Sequence, residues 1–516
     1  MTDRHMTDHH PEHATRHGRR QGHPRRLALA AVLGLLLLGL LAGAGLASVA
    51  GTGGDDGTPQ GERPADSTAL PFDLPPAKEL RAGPHLVFAH YFPPFPLSLD
   101  NRPAAQDYYT RNYLDPQGEN GKHAAYGGLL RDRPQPRPPR GGDWRLADLE
   151  QEVRTARDAG LDGFTVDILS LTGTNRQRVD LLLRAAHLVD PHFRIVLMPD
   201  MTALHTDPRT LADALALLAA HPAAHRLADG RLVVSPFKAE AQDPAWWRRV
   251  MARLAEHGIR TALVPVFLDF RSNAQRFAPI SHAFSSWGNR SYTGQDGVPG
   301  DIRLAHRLGK KWMQPVSVQD TRPDQSVYDE AGNTATLRST WNHAISDGAD
   351  WVQLTTWNDY SEGSQFAPSL HNGHTYLDLS SYYLTRFKTG HWPPIVRDTV
   401  YVTSRVQYAR TADAPLQPLL MSPRQGTATP RDDVEVLTFL TAPADVTAEV
   451  GTDTHTYRAP RGVHAELLPL RPGHTRAVVR RAGHTVAAVT TRYPVRTDVT
   501  VQDLQYYAVS SGRDGH

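Results

Sequence analysis

Asp359 and Glu362 stand three residues apart in the stretch WVQLTTWNDYSEGSQF, residues 351–366. Trp357, Asn358 and Tyr360 flank them. A packed core does not need that combination straight after an apolar run. One carboxyl group can donate a proton while another accepts one, and aromatic rings offer flat platforms to the apolar faces of sugars. Together they suit cleavage of a glycosidic bond. A purely structural reading of the same residues is also open, with Asp359 and Glu362 capping the next helix and Trp357 buried as core.

Such a pair needs a strand that ends in a loop. Residues 351–356 are an apolar run with strand propensity, and Gly363 breaks it. From residue 84 onward, short apolar runs alternate with segments of helical period. Strands are expected at 85–90, 163–169, 194–200, 232–237, 262–269, 282–287, 311–317 and 351–357. Helices are expected at 146–159, 176–189, 209–220, 244–257, 301–308, 334–346 and 380–388. Continuous apolar strands fit burial on both faces. The alternation is the pattern of an α/β (β/α)8 TIM barrel, with a doubly wound open sheet as the competing arrangement.

In a barrel, the residues at the C-terminal ends of the strands meet at one mouth. Those residues are His90 and Tyr91, Asp167, Asp200, Asp269, Trp287, Gln314, and the eighth-strand group Trp357 to Glu362. Carboxylates, amides and aromatics converging there suit a neutral polyhydroxylated ligand. His90 could equally be core, and so could Trp287. A metal site drawn from Asp167, Asp200, Asp269 and His90 lacks any compact ligand motif. There is no GxSxG elbow, P-loop or dinucleotide fingerprint. No cofactor or metal is expected.

The long stretch 92–142, rich in Pro, Tyr and Arg, follows the first strand and is read as a wall of the site. After residue 393 the pattern turns to alternating apolar positions at 434–440, 446–450, 475–479 and 486–490, expected as a small C-terminal all-β sandwich. At the other end, residues 1–26 form a His- and Arg-rich tail. Residues 27–49 carry no charge and are long enough to cross a bilayer of roughly 30 Å. Arg19, Arg20, Arg25 and Arg26 precede them and would stay inside. This is expected to be a transmembrane signal anchor, with a cleaved signal peptide as the alternative. Residues 50–83 read as a disordered linker. The barrel then spans 84–392 and the sandwich 393–516. A net charge of +2 gives no bulk signal for nucleic acid, and with zero Cys there is no disulfide or thiolate chemistry.

The run TWNDYSEG resembles the strand-eight signature of glycoside hydrolase family 71, the α-1,3-glucanases or mutanases, whose pattern reads close to TWNDYGES. VFAHYF, DLEQEVRTARDAGLDGFTVDI, RIVLMPDM, SSWG and GKKWMQPVS resemble other segments of that family in matching order, as does DDVEVLTFLTAPADVTAEVG in the C-terminal part. The resemblance covers about residues 84–490. Ser361 stands where the family usually has Gly, and SEGSQFAPS resembles family 99, the endo-α-mannosidases and mannanases. Family 71 membership implies an inverting hydrolase whose essential Asp and Glu fall on Asp359 and Glu362, with a further early-strand acid at Asp167 or Asp200. Glu362 is expected as acid and Asp359 as base, or Asp167 or Asp200 as base with Asp359 tuning Glu362. Substrate contacts are expected from His90, Tyr91, Trp287, Gln314, Trp357, Asn358 and Tyr360. The chain is expected to be a monomer acting on polysaccharide outside the cell, anchored in the membrane or secreted. Two alternatives are a family 99-like mannan hydrolase and a non-catalytic glycan-binding surface protein.

Overall fold

A computed structural model describes residues 69–410 and 413–513. The His-rich tail, the apolar segment 27–49 and the first part of the expected linker lie outside the described residues. Among the described residues no helix is long and apolar enough to cross a membrane.

Eight parallel strands form the barrel: Leu86–Tyr91, Gly163–Ile168, Arg194–Pro199, Leu232–Val234, a split fifth strand (Thr261–Leu263 and Val266–Phe267), Ala283–Ser286, Lys311–Val316 and Trp351–Leu354. Strand one pairs with both strand two and strand eight. The first half of strand five pairs with strand four and its second half with strand six, so the sheet closes on itself. An open doubly wound sheet is thereby excluded. The split falls at Pro265, which has no N–H to give the ladder. Around it the Val264 N–H reaches the Val234 carbonyl and the Val266 N–H the Pro236 carbonyl.

Alternation along the strands sorts the residues into two layers. Phe88, Val196, Met198, Val233, Ala262 and Met313 fill the barrel interior. Val87, Phe164, Val166, Leu197 and Phe284 face the helices. The helices present amphipathic faces to that outer layer, such as Leu211, Leu215 and Leu218 of Pro208–Ala219. Two of them begin with Asp-Pro: Asp207 and Asp243 accept N–H bonds from the first turn, and the proline that follows has no N–H to leave unpaired. One helix, Phe270–Phe277, was not expected. Its N-cap is Asp269, whose carboxylate accepts from the Ser272 N–H, so this acid caps a helix at the end of strand five.

Residues 69–83, expected as the end of a disordered linker, are packed. Phe72 and Leu80 are buried, and the Phe72 ring meets Tyr382 at 5.4 Å. Two apolar side chains with a place to go hold the segment down.

Two four-stranded antiparallel sheets follow the barrel. Val400, Val434, Val436 and Val446 fill the space between them. The odd-numbered Leu437 and Phe439 face the other way and join the barrel's own core, with Phe439 edge-on to Tyr382 at 5.1 Å. The run 434–440 is therefore buried throughout, Glu435 and Thr438 included, because both of its faces are covered. A buried ion pair crosses the seam, Arg405 to Glu330 at 2.7 Å, with the Tyr506 hydroxyl also donating to Glu330. Residues 502–508 form a strap against the barrel loops. The Tyr506 N–H donates to Gln319, the Tyr376 hydroxyl to the Tyr506 carbonyl, and the Ala508 N–H to the His371 carbonyl.

Candidate active site

The inward positions at the C-terminal end of the barrel are His90, Asp167, Asp200, Phe237, Trp287, Ser317 and Thr355, in phase with interior core positions such as Phe88, Met198, Val233, Ala283, Met313 and Trp351 two or four residues earlier. His90 Nε2 lies 3.8 Å from Asp167 Oδ2, and its ring meets the edge of Trp287 at 5.0 Å. Burial, then the charge of Arg290, pushes the His90 imidazole down to about 3, so it is neutral. Trp287 is half-buried, with Phe237 at 4.8 Å and the Arg290 guanidinium 5.0 Å from its ring centre.

Asp359 and Glu362 share one tight turn after strand eight. The Ser361 N–H and hydroxyl donate to Asp359 Oδ1 at 3.0 and 2.6 Å, and the Glu362 N–H reaches the same oxygen at 3.3 Å. Asp359 thus caps its own turn rather than the next helix, Thr375–Thr389, and lies close enough to the barrel mouth for Asp167 to sense its charge. Glu362 Oε1 is held 2.7 Å from Arg322 Nη1, while its Oε2 is buried with no hydrogen-bond partner. Arg322 in turn grips Asp320 through Nε and Nη2 at 2.7 and 2.6 Å.

Burial raises the proton affinity of all four candidate carboxyl groups. Asp167 is pushed well above the usual carboxylate range by burial and then by the charges of Asp200, Asp359 and Glu362. Burial also raises Asp200, against hydrogen bonds from Thr202 and the charge of Lys238. Asp359 rises by burial, restrained by Ser361 and Arg322. Glu362 rises further: burial leads, Asp359 and Asp320 add to it, and Arg322 and Arg290 oppose it. Asp167 senses the charges of the other three and Glu362 that of Asp359, and Glu362 is lifted above Asp359. Such a spread is how a site keeps one acid protonated beside an ionised one. Among the described residues no group of three or more His, Asp or Glu side chains could hold a metal ion.

Five expected substrate contacts lie elsewhere. Tyr91 points out of the barrel, its hydroxyl 2.9 Å from Glu152 in the helix layer. Gln314 also sits at an outward position and accepts from Trp312 Nε1 at 2.7 Å. Each is one residue out of phase with the inward row, and a period of two reverses direction at every step. Trp357 is fully buried against Phe164 at 5.1 Å, with its Nε1 3.4 Å from Glu152. Asn358 accepts from the Phe92 N–H and donates to the Phe92 and Phe95 carbonyls, which fastens the loop after strand one. Tyr360 packs with Phe95, Tyr109 and Leu130 of that same loop. A small cavity of about 60 Å³ lined by Glu152, Gln135, Thr155 and His374 lies behind Trp357, among outward-facing residues.

Sequence reasoning missed Asp320, Arg322 and Arg290. Arg290 is buried and donates to Ser317 Oγ and the Thr355 carbonyl, while Nε and Nη2 have no hydrogen-bond partner and Nε lies 3.8 Å from Asp320. The signal available was the long excursion VQDTRPDQSVYDE after strand seven. It forms a hairpin, Asp320–Arg322 against Val327–Asp329, over the site.

A sequence model described as glycosyl hydrolase family 71 matches residues 141–513. A glucan endo-1,3-alpha-glucosidase from Schizosaccharomyces pombe is 24% identical over 67% of this chain and 87% of its own length. A mutanase from Penicillium rubens is 24% identical over 72% of this chain and 87% of its own. A solved GH99 endo-alpha-mannosidase from Bacteroides thetaiotaomicron is similar at a TM-score of 0.46 and 14% identity, over 60% of this chain and 98% of that one.

Proposed function

The chain belongs to glycosyl hydrolase family 71 and is a glycoside hydrolase, and from that premise we propose that it is an exported enzyme cleaving α-1,3-glucan within the chain. The observation that carries this reading is the pair Asp359 and Glu362 at the barrel mouth, inside the stretch that the family match covers. The names of the two fungal relatives support the substrate.

Glu362, the more strongly raised of the pair, is the proton donor. It protonates the glycosidic oxygen as the C1–O bond breaks. Asp359, the less raised, is ionised and takes a proton from the water that attacks C1 on the opposite face. The anomeric configuration inverts. Inversion calls for a carboxyl separation of roughly 6.5–9.5 Å, room for one water. Burial and the charges of its acidic neighbours favour the protonated form of Asp167, which makes Asp359 the better base. Asp167 stands with neutral His90 as a hydrogen-bonding partner for sugar hydroxyls. The half-buried Trp287 supplies a stacking face. The uncharged segment 27–49 carries the chain outward and holds it at the membrane or is removed. The enzyme works as a monomer.

The test is release of soluble oligosaccharides from insoluble α-1,3-glucan by the purified full-length chain, with Glu362→Gln as control. Release by the wild type and none by the variant is expected. Release from α-mannan instead would move the substrate to the family 99 type. Saturable glycan binding with no release from either polymer would favour a binding protein.

A further inference from the structure

Asp320 and Arg322 are two apart on one arm of the hairpin after strand seven, so their side chains share a face of that arm. The guanidinium folds back on Asp320 in a two-point grip and extends its remaining nitrogen, Nη1, to Glu362 Oε1 at 2.7 Å. The arm is also stitched to the catalytic loop, since the Thr321 N–H donates to the Glu362 carbonyl at 2.7 Å. Asp320 is fully buried, and beyond Arg322 it has Arg290 at 3.8 Å and Arg424 at 3.6 Å.

An unpaired arginine beside a carboxyl group would hold it ionised. Here the arginine's charge is already matched by Asp320. Glu362 Oε1 therefore meets, 2.7 Å away, a guanidinium whose charge is shared with Asp320. Nη1 carries only N–H groups, so a proton on Oε1 would point at them, and the proton is left for Oε2, the oxygen with no hydrogen-bond partner in the protein. We infer that Asp320 is a positioning residue which, through Arg322, keeps Glu362 in its proton-donating form and sets the proton on Oε2. The inference rests on the reading of Glu362 as the acid.

The charges that face this group are Asp359 on its own loop, Asp320 and Arg322 on the hairpin, Arg290 after strand six, and Asp167 on strand two. Asp329 and Arg424 lie behind Asp320 and pair with each other at 2.8 Å. Asp320 is the carboxylate against which Arg322, Arg424 and Arg290 all lie, at 2.6, 3.6 and 3.8 Å. Removing the Asp320 charge takes a negative partner from these arginines, and an ionised Glu362 would replace it.

The experiment is the pH dependence of kcat/KM for the full-length wild type, Asp320→Asn and Asp320→Glu on α-1,3-linked glucan oligosaccharides. A parallel assay uses an α-glucosyl fluoride of the same oligosaccharide, whose leaving group needs little proton help. In Asp320→Asn the alkaline limb should move down by about one pH unit or more, with at least a tenfold loss near neutrality. Fluoride release should stay within about twofold of wild type, and Asp320→Glu should return the limb upward. Equal losses on both substrates at every pH, with the limb unmoved, would overturn the inference. Should Asp320→Asn fail to fold, the infrared carbonyl band of a protonated carboxyl group decides on wild type alone. The band must be present near neutral pH and lost in Glu362→Gln, and its absence from the wild type overturns the inference. A fully active Glu362→Gln would instead remove the acid reading itself. An inactive Glu362→Gln with an unmoved limb in Asp320→Asn would remove only the role of Asp320.

Discussion

Gln505 occupies the space that a side chain on Gly363 would need. A Cβ built on Gly363 would lie 2.3 Å from Gln505 Nε2 and 2.5 Å from Thr321 Oγ1. Gly363 also has a φ of +59°, in the left-handed region that glycine tolerates. Gly363→Ala should therefore cost about 1–3 kcal/mol of stability and at least tenfold in rate, because Glu362 is the residue before it. Adding Gln505→Ala relieves the clash with the strap but not the backbone cost, so the double variant should recover part of the rate. Thermal unfolding and oligosaccharide release would check both, and an indifferent Gly363→Ala would contradict the packing described.

Glu152 lies outside the reaction yet is buried, between the Tyr91 hydroxyl and Trp357 Nε1. Burial, aided by the charge of Asp148, lifts its carboxyl group to about 8. Below the unfolded value, near 4.5, both states hold the proton and the group has no effect on stability. Between there and about 8 the unfolded chain releases its proton while the folded one keeps it, so stability falls as pH rises. Above that window the loss is complete. Glu152→Gln should flatten this dependence and melt higher than wild type at pH 8, with little difference at pH 5. Parallel melting curves would refute this assignment.

The two tryptophans near the site should behave oppositely. Trp357 is fully buried, so Trp357→Ala is expected to cost about 3–5 kcal/mol of stability. Trp287 is half-buried at the barrel mouth, so Trp287→Ala should cost less stability and raise KM about tenfold or more. A Trp287 variant with unchanged KM and a large fall in melting temperature would make it core.

The pair Arg405 and Glu330 joins the barrel to the sandwich, and both side chains are buried. Arg405→Met strands the glutamate and should destabilise by about 3–5 kcal/mol. Arg405→Met with Glu330→Gln should cost clearly less. Denaturant titrations of the two variants would separate the outcomes, and equal costs would show that the lost packing, not the stranded charge, sets the energy.

The barrel was legible because its strands are covered on both faces and so read as unbroken apolar runs. The helix Phe270–Phe277 escaped because Phe270, Ala274 and Phe277 give too few turns to establish a period. Sandwich strands such as Asp453–Ala459 escaped because their residues alternate between exposed and half-exposed and are mostly polar. At the site, Asp167, Asp200, Asp359 and Glu362 could be listed from strand ends, and the structure brings them into one electrostatic field. Tyr91 and Gln314 share the strand-end position but fall one residue out of phase with the inward row, so the strand's period of two turns them away. Asp320 and Arg322 lie in a loop with no apolar rhythm, and their approach to Glu362 is a tertiary fact no local pattern encodes.

The strap at residues 502–508 also fixes an order of events in the life of the molecule. Gln505 packs beside Gly363, next to Glu362, so that contact can form only after the ribosome has passed the Gln505 codon. Contacts so distant along the chain form late and slowly. The packing around Glu362 thus joins residues about 140 positions apart and belongs to the end of folding.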